Sequence, residues 1–141
     1  MAIIDTDLLI QYLRGNPLAT KYLDTIIDQE GEMKTTIFTV GELFKGVYES
    51  SNPAKTEREV TDLLLNCAIL YPTLDSTRIW AQITTELKTK YGKQLIKDIG
   101  DIDQLIASIV LSSQERIITR NVNHYDKIRG LEIINWEQSV K

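Results

Sequence analysis

Apolar residues recur along this chain at two spacings, and the spacing changes wherever polar or turn-forming residues interrupt it. Ala2, Ile3 and Ile4 make a short apolar run that predicts a strand over residues 2 to 5, followed by Leu8, Leu9, Ile10, Tyr12 and Leu13 in a helix over 7 to 14. Gly15 and Asn16-Pro17 close that helix, and Leu18, Tyr22, Leu23, Ile26 and Ile27 line one side of a second over 18 to 30. A strand is expected at 33 to 36, a helix from Thr39 to about 49, a break at Ser51-Asn52-Pro53, and a helix over 54 to 66 with Val60, Leu63 and Leu64 inward. A strand over 68 to 71 precedes a helix capped by Asp75, in which Ile79, Trp80, Ile83, Leu87 and Tyr91 keep helical spacing up to Gly92. A polar segment, 92 to 100, leads to a helix over 101 to 113, and strands at 116 to 119 and 131 to 134 finish the pattern. Strands alternating with helices predict an α/β fold whose central parallel sheet is covered by helices on both faces.

With 141 residues and 43% hydrophobic content, the chain suits one core, so a single domain spanning 1 to 141 is expected. No run approaches the length needed to span a bilayer, and Asp5 interrupts the N-terminal apolar run before it resembles a signal peptide; the expected setting is cytoplasmic, with no membrane partner. Cys67, the one cysteine, follows three leucines and reads as a small buried hydrophobe. It can supply neither an intrachain disulfide nor a thiolate zinc site. The net charge of -4 argues against nonspecific coating of nucleic acid, which depends on many Lys and Arg meeting phosphates. A nuclease is still allowed, because a bound cation inverts the field of a carboxylate cluster.

The acids sit at suggestive places. Asp5 ends a strand with a helix beginning beside it, the edge at which open α/β sheets build ligand sites. Thr39-x-x-Glu42 has the form of a capping box, which by itself would explain Glu42. Asp101-x-x-Gln104 has the same form, with Asp101 as the cap. Asp103 has no such explanation: it precedes Leu105, Ile106, Ile109 and Val110 on the buried side of the helix, and beside Asp5 it would form a like-charge pair needing a cation or a proton. Thr119-Arg120-Asn121 reads either as a polar loop or as a hydroxyl and an amide directed at the same cluster. His124, the one histidine, reads as a surface residue.

Four segments taken in order carry a family resemblance: Ile3-Ile4-Asp5-Thr6-Asp7-x-Leu9-Ile10, Thr39-x-x-Glu42-Leu43-x-x-Gly46, Asp103-x-x-Ile106-Ala107, and Ile118-Thr119-x-Asn121 with Tyr125, Gly130-Leu131 and Trp136 beyond it. The chain resembles a PIN domain, more narrowly the VapC-type ribonuclease toxins. The resemblance implies Asp5, Glu42 and Asp103 as an acidic, metal-holding cluster, Asp101 as its neighbour, and Thr6 or Thr119 as supporting hydroxyls. Asn121 stands where many PIN domains carry a fourth acid, so it would add an oxygen but no charge. Hard carboxylate oxygens without a Cys or His cluster suit Mg²⁺, or Mn²⁺, rather than zinc. The expected activity is a metal-dependent endoribonuclease, with Arg14, Lys45, Arg120 and Lys127 as candidates for holding RNA phosphates. The resemblance further implies a VapB-type antitoxin and a homodimer, with the apolar sides of the helices at 7 to 14 and 54 to 66 as candidate contacts. Two other readings compete. Asp5-Thr6-Asp7 also resembles the nucleophile loop of haloacid-dehalogenase-type phosphatases, with Asp5 as nucleophile, and first-turn acids that merely cap helices would suit a non-catalytic PIN-like binding module.

Overall fold

Ile3 and Ile4 are adjacent in sequence and feed opposite cores, because successive side chains of a strand leave opposite faces. In the computed structural model, which describes residues 2–94 and 99–139, they belong to β1 (Ala2–Ile4). β1 pairs in parallel with β4 (Arg116–Ile118), which pairs in parallel with β5 (Ile133–Ile134), so that Ile3 lies beside Ile117 and Ile117 beside Ile133. Ile3 and Ile117 pack with Ile83, Leu87, Ile106, Val110 and Tyr125 on one side; Ile4 and Ile118 pack with Leu8, Leu9, Leu23, Val47, Leu63 and Trp136 on the other. The expected parallel sheet with both faces covered is what forms, with one difference. β2 (Met33–Thr36) and β3 (Cys67–Leu70) pair in parallel as a separate two-stranded ladder. At the seam the buried Thr35 hydroxyl donates to the Ile4 carbonyl at 2.7 Å, a side chain bridging where no backbone ladder runs.

The helices begin where a local acceptor meets the first free N–H groups, and this corrects three sequence expectations. α1 (Thr6–Leu13) is capped by Asp5, which therefore stands just past the strand. α2 (Pro17–Glu30) starts on Asn16, with Pro17 in its first turn, and ends at Gly31, whose φ of 81° is a left-handed geometry that favours glycine. α3 (Ile37–Glu49) begins earlier than the Thr39-x-x-Glu42 pattern suggests: Thr36 is the cap, accepting from the Thr39 N–H at 3.2 Å. Thr39 is thus already helical, and the capping-box explanation of Glu42 falls away. Replacing Thr36 with Ala is expected to cost about 1 kcal/mol in a urea melt, the usual worth of such a cap.

α4 (Pro53–Leu64) is capped by Asn52, and α5 (Leu74–Tyr91) by Thr73, whose capping box is completed by Ser76, leaving Asp75 as an exposed first-turn acid. α6 (Asp101–Ser112) has Gly100 at its cap position with no side-chain acceptor. Asp101 is therefore no cap, and Gln104 is buried instead, donating to the Ile99 carbonyl at 2.8 Å. Two short helices lie outside the sequence pattern, α7 (Val122–Tyr125) and α8 (Trp136–Ser139). The polar stretch read at 92 to 100 lies partly outside the described residues. No helix among the described residues is long and apolar enough to cross a membrane. Cys67 is half-buried in β3, where burial pushes its thiol up to about 11.

Candidate active site

The C-terminal ends of β1 and β4 deliver two groups to one place. Asp5 Oδ1 accepts from the Thr6 N–H at 2.8 Å, and the Thr119 hydroxyl lies 2.8 Å from Asp5 Oδ2 and 3.0 Å from Asp7 Oδ2. The same hydroxyl oxygen accepts from the Asn121 N–H at 3.0 Å. A hydroxyl has one proton to give, so it cannot donate fully to two ionised carboxylates at once. Burial, reinforced by the charge of Asp7 and more weakly by that of Asp103, pushes the Asp5 carboxyl up to about 7. A proton held on Asp5 resolves the conflict, with Thr119 then free to donate to Asp7. Asp7 is fixed independently: its Oδ2 accepts from the Arg120 N–H at 2.9 Å and its Oδ1 from the Trp136 indole at 3.2 Å.

Glu42 arrives from the second turn of α3. Its Oε1 lies 2.6 Å from the buried Thr6 hydroxyl, which is also 3.1 Å from the Thr39 hydroxyl. The carboxylate is the stronger acceptor, so Thr6 donates to Glu42 and takes its own hydrogen bond from Thr39. Asp103 comes from the first turn of α6, where the helix dipole favours a negative charge. Its Oδ1 faces the Tyr125 hydroxyl and its Oδ2 the His124 Nδ1, each at 3.4 Å. Tyr125 is fully buried; burial first, then the charges of Asp5, Asp103 and Glu42, hold its hydroxyl well above its ordinary value, so it stays protonated. Its hydrogen-bond partner among the described residues is Asp103 Oδ1, while the charges of Asp5 and Glu42 act on it through space.

The structure links Asp5 to Thr119 and, through Thr6, to Glu42, and sets Asp103 against Tyr125 and His124; Arg14 lines the same groove as Glu42, and Arg120 reaches Asp7 through its backbone N–H. Asp101 is exposed at the outer end of α6. Asn121 is exposed and meets the cluster through its backbone N–H. Arg14, Lys45 and Arg120 are exposed; Arg120 rests over the Trp136 ring, 5.9 Å from its centroid. Lys127 is turned onto the Asn123 carbonyl and Asp126. His124 is not simply a surface residue, since it is half-buried against Asp103.

Sequence reasoning misses Asp7 and Tyr125 as site residues, and the reason is physical: their partners lie more than a hundred residues away for Asp7 and about twenty for Tyr125. The repeated acid in Asp5-Thr6-Asp7 is the signal that could have found Asp7, and the place of Tyr125 in the fourth motif segment the signal that could have found it. Beside the cluster a groove of about 470 Å³ runs between α1, α3 and α4, lined by Ile10, Leu13, Arg14, Glu42, Leu43 and Val60.

Asp5, Glu42 and Asp103 offer oxygen donors only, the chemistry a hard divalent cation requires. A buried carboxyl pushed up toward 7 by burial and neighbouring acids calls for a proton or a cation, and oxygen is the donor type a hard cation takes. As they lie, no three His, Cys, Asp or Glu side chains among the described residues are disposed to hold a metal ion, and Glu42 Oε1 is engaged by Thr6.

Residues 2–130 match the family model described as "PIN domain". The chain is similar to ribonuclease VapC19 of Mycobacterium tuberculosis, 26% identical over 133 residues covering 94% of this chain and 98% of that one. It is equally similar to ribonuclease VapC2 of Haemophilus influenzae, 26% identical over 134 residues covering 95% and 96%. Among solved structures it is similar to VapBC2 from Rickettsia felis bound to a DNA fragment from their promoter, with a TM-score of 0.84 at 20% identity over 96% of this chain and 98% of that one. It is also similar to FitAcB from Neisseria gonorrhoeae, with a TM-score of 0.80 at 26% identity over 98% and 99%.

Proposed function

This chain belongs to the PIN-domain family, and from that premise we propose that it is a VapC-type, divalent-metal-dependent endoribonuclease acting as the toxin of a toxin-antitoxin pair. The observation that carries the reading is the burial of Asp5 at the sheet edge, with Thr119 bridging it to Asp7, Glu42 on the adjoining Thr6 hydroxyl, and Asp103 on the buried Tyr125 hydroxyl. Acids that merely cap helices do not explain this: Glu42 and Asp103 cap nothing, and each points inward to a buried hydroxyl. The phosphatase reading loses its support with the family match.

Asp5, Glu42 and Asp103 would hold Mg²⁺ or Mn²⁺. Such a cation supplies an acidified water and a polarised scissile phosphate when bound. The remaining residues of the cluster prepare that arrangement. Thr119 holds Asp5 in its rotamer, Thr6 holds Glu42 near the mouth of the groove, and the Tyr125 hydroxyl holds Asp103. His124 lies beside Asp103 at the rim, its Nδ1 facing Asp103 Oδ2 at 3.4 Å.

Several structures similar to this one are VapBC complexes, which supports an antitoxin partner here. The groove through Ile10 and Leu13 to Glu42 suits a segment of that partner with an apolar face and a basic side chain. Leu8, Leu9 and Leu63, by contrast, are core and unavailable to any partner or to a second copy in a homodimer.

The test pairs wild type with Asp103→Asn. Millimolar Mn²⁺ should raise the melting temperature of the wild type, since a ligand specific for the native state stabilises it, and should leave the variant unmoved; RNA cleavage should vanish with the shift. Equal shifts and equal cleavage in both proteins would remove Asp103 from the site.

A further inference from the structure

A second surface carries more cations than acids in a chain whose total charge is negative. A cleft of about 470 Å³ lies between the C-terminal half of α5 and the segment after α7, with Lys90, Tyr91 and Glu86 on one wall and Asp126, Lys127 and Arg129 on the other. Three cations, Lys90, Lys127 and Arg129, thus face two acids in the lining, and the exposed Lys88 and Lys93 lie close by in sequence. The acids are partly spent: Lys127 takes up Asp126, and Arg129 lies 3.9 Å from Glu86 in a pair so open to water that screening leaves it weak. Lys90 has no carboxylate partner among the described residues, and its ammonium rests 5.4 Å from the centroid of the half-open Tyr91 ring. A neighbouring depression of about 560 Å³ shares Glu86 and Arg129 with the cleft and continues along α5 to Arg78.

The walls of this cleft are the elements that hold Asp103. On one side the Thr84 hydroxyl of α5 meets Gln104 Oε1 at 2.6 Å, one residue after Asp103. On the other, Asp126 follows directly on Tyr125 and His124, both of which face Asp103. A polyanion held in the cleft would therefore lie on a path toward the acids, whose own negative charge would otherwise repel it. Ammonium groups on long side chains beside an exposed aromatic ring are the combination that single-stranded nucleic acid uses, phosphates on the cations and a base on the ring.

We propose that the cleft formed by Lys90, Tyr91, Lys127 and Arg129 is a docking site for the phosphate backbone of the single-stranded RNA that the acidic cluster cleaves, an inference that rests on the ribonuclease reading above. Fluorescence anisotropy with a mixed-sequence single-stranded oligoribonucleotide, in EDTA and across a salt titration, tests it on wild type, on Lys88→Gln/Lys90→Gln/Arg129→Gln, and on the charge-keeping Lys90→Arg.

The triple variant should melt at the wild-type temperature, bind about tenfold more weakly at low salt, and show a salt slope shallower by about 0.7 for each phosphate no longer neutralised. Lys90→Arg should bind as the wild type does. A triple variant with unchanged affinity and slope overturns the cleft while leaving the ribonuclease reading standing, provided the wild type binds RNA and cleaves it with Mn²⁺. A wild type that neither binds nor cleaves RNA removes both. Unchanged RNA binding with weakened capture of a co-expressed antitoxin would reassign the surface to a protein and also overturn the proposal.

Discussion

Asp5→Asn is expected to abolish RNA cleavage and, at the same time, to make the metal-free protein more stable above neutral pH. The loss should be at least about 100-fold, since even groups that only hydrogen-bond to a metal's ligands cost up to that much when removed. The gain follows from proton linkage. Burial and the charge of Asp7 raise the Asp5 carboxyl from an ordinary 3.8 to about 7 in the folded protein, so between those limits the native state holds a proton that the unfolded chain has released. Its stabilising contribution is complete below pH 3.8, declines as pH rises, and is gone above about 7.

At about 1.4 kcal/mol for each pH unit between those limits, the decline amounts to a few kcal/mol. Asn has nearly the same shape and no charge to desolvate, so the variant should lack this slope. Urea melts of both proteins in EDTA from pH 4 to 8 read it directly: the curves should diverge toward high pH with the variant more stable. Parallel curves would mean that Asp5 is already ionised without penalty. Removing divalent ions matters here, because a cation on Asp5 would offset the same charge and hide the difference.

Trp136→Ala should be the most destabilising single change in the C-terminal part of the chain, costing about 3 to 5 kcal/mol as a fully buried aromatic ring is lost from the core. Two effects combine, the cavity beside Ile4 and Ile118 and the loss of the indole N–H that Asp7 accepts at 3.2 Å. Trp136→Phe separates them, keeping most of the apolar area while leaving Asp7 one donor short, and should cost roughly 1 to 2 kcal/mol. Because Asp7 also faces Thr119, the Phe variant should lower cleavage activity more than its stability loss explains. A destabilisation below about 1 kcal/mol for Trp136→Ala would show that α8 is not anchored through this ring.

Much of the fold is legible in the sequence because it is local. Apolar spacing along Leu18 to Ile27 or Ile79 to Leu87 is set by helical periodicity, and continuous runs such as Ile3-Ile4 and Ile117-Ile118 suit strands buried on both faces. Helix starts are less so. Thr36 and Thr39 are both plausible caps, and the winner is the one whose backbone is extended, which depends on where β2 ends against β3. α7 and α8 leave no pattern because four residues are too few to show a period.

By itself the sequence determined that strands alternate with helices, that the sheet is parallel and covered, and that Asp5, Glu42 and Asp103 each stand near a strand end or helix start, since these follow from spacing over a few residues. Only the tertiary structure decided which polar groups meet: Asp7 with Thr119 and Trp136, Tyr125 with Asp103, Glu42 with Thr6, and Asp101 left exposed. Such contacts require chain segments up to 129 residues apart to be packed to within hydrogen-bond distance, and that closeness is a property of the cores on both sides of the sheet, not of any short stretch of sequence.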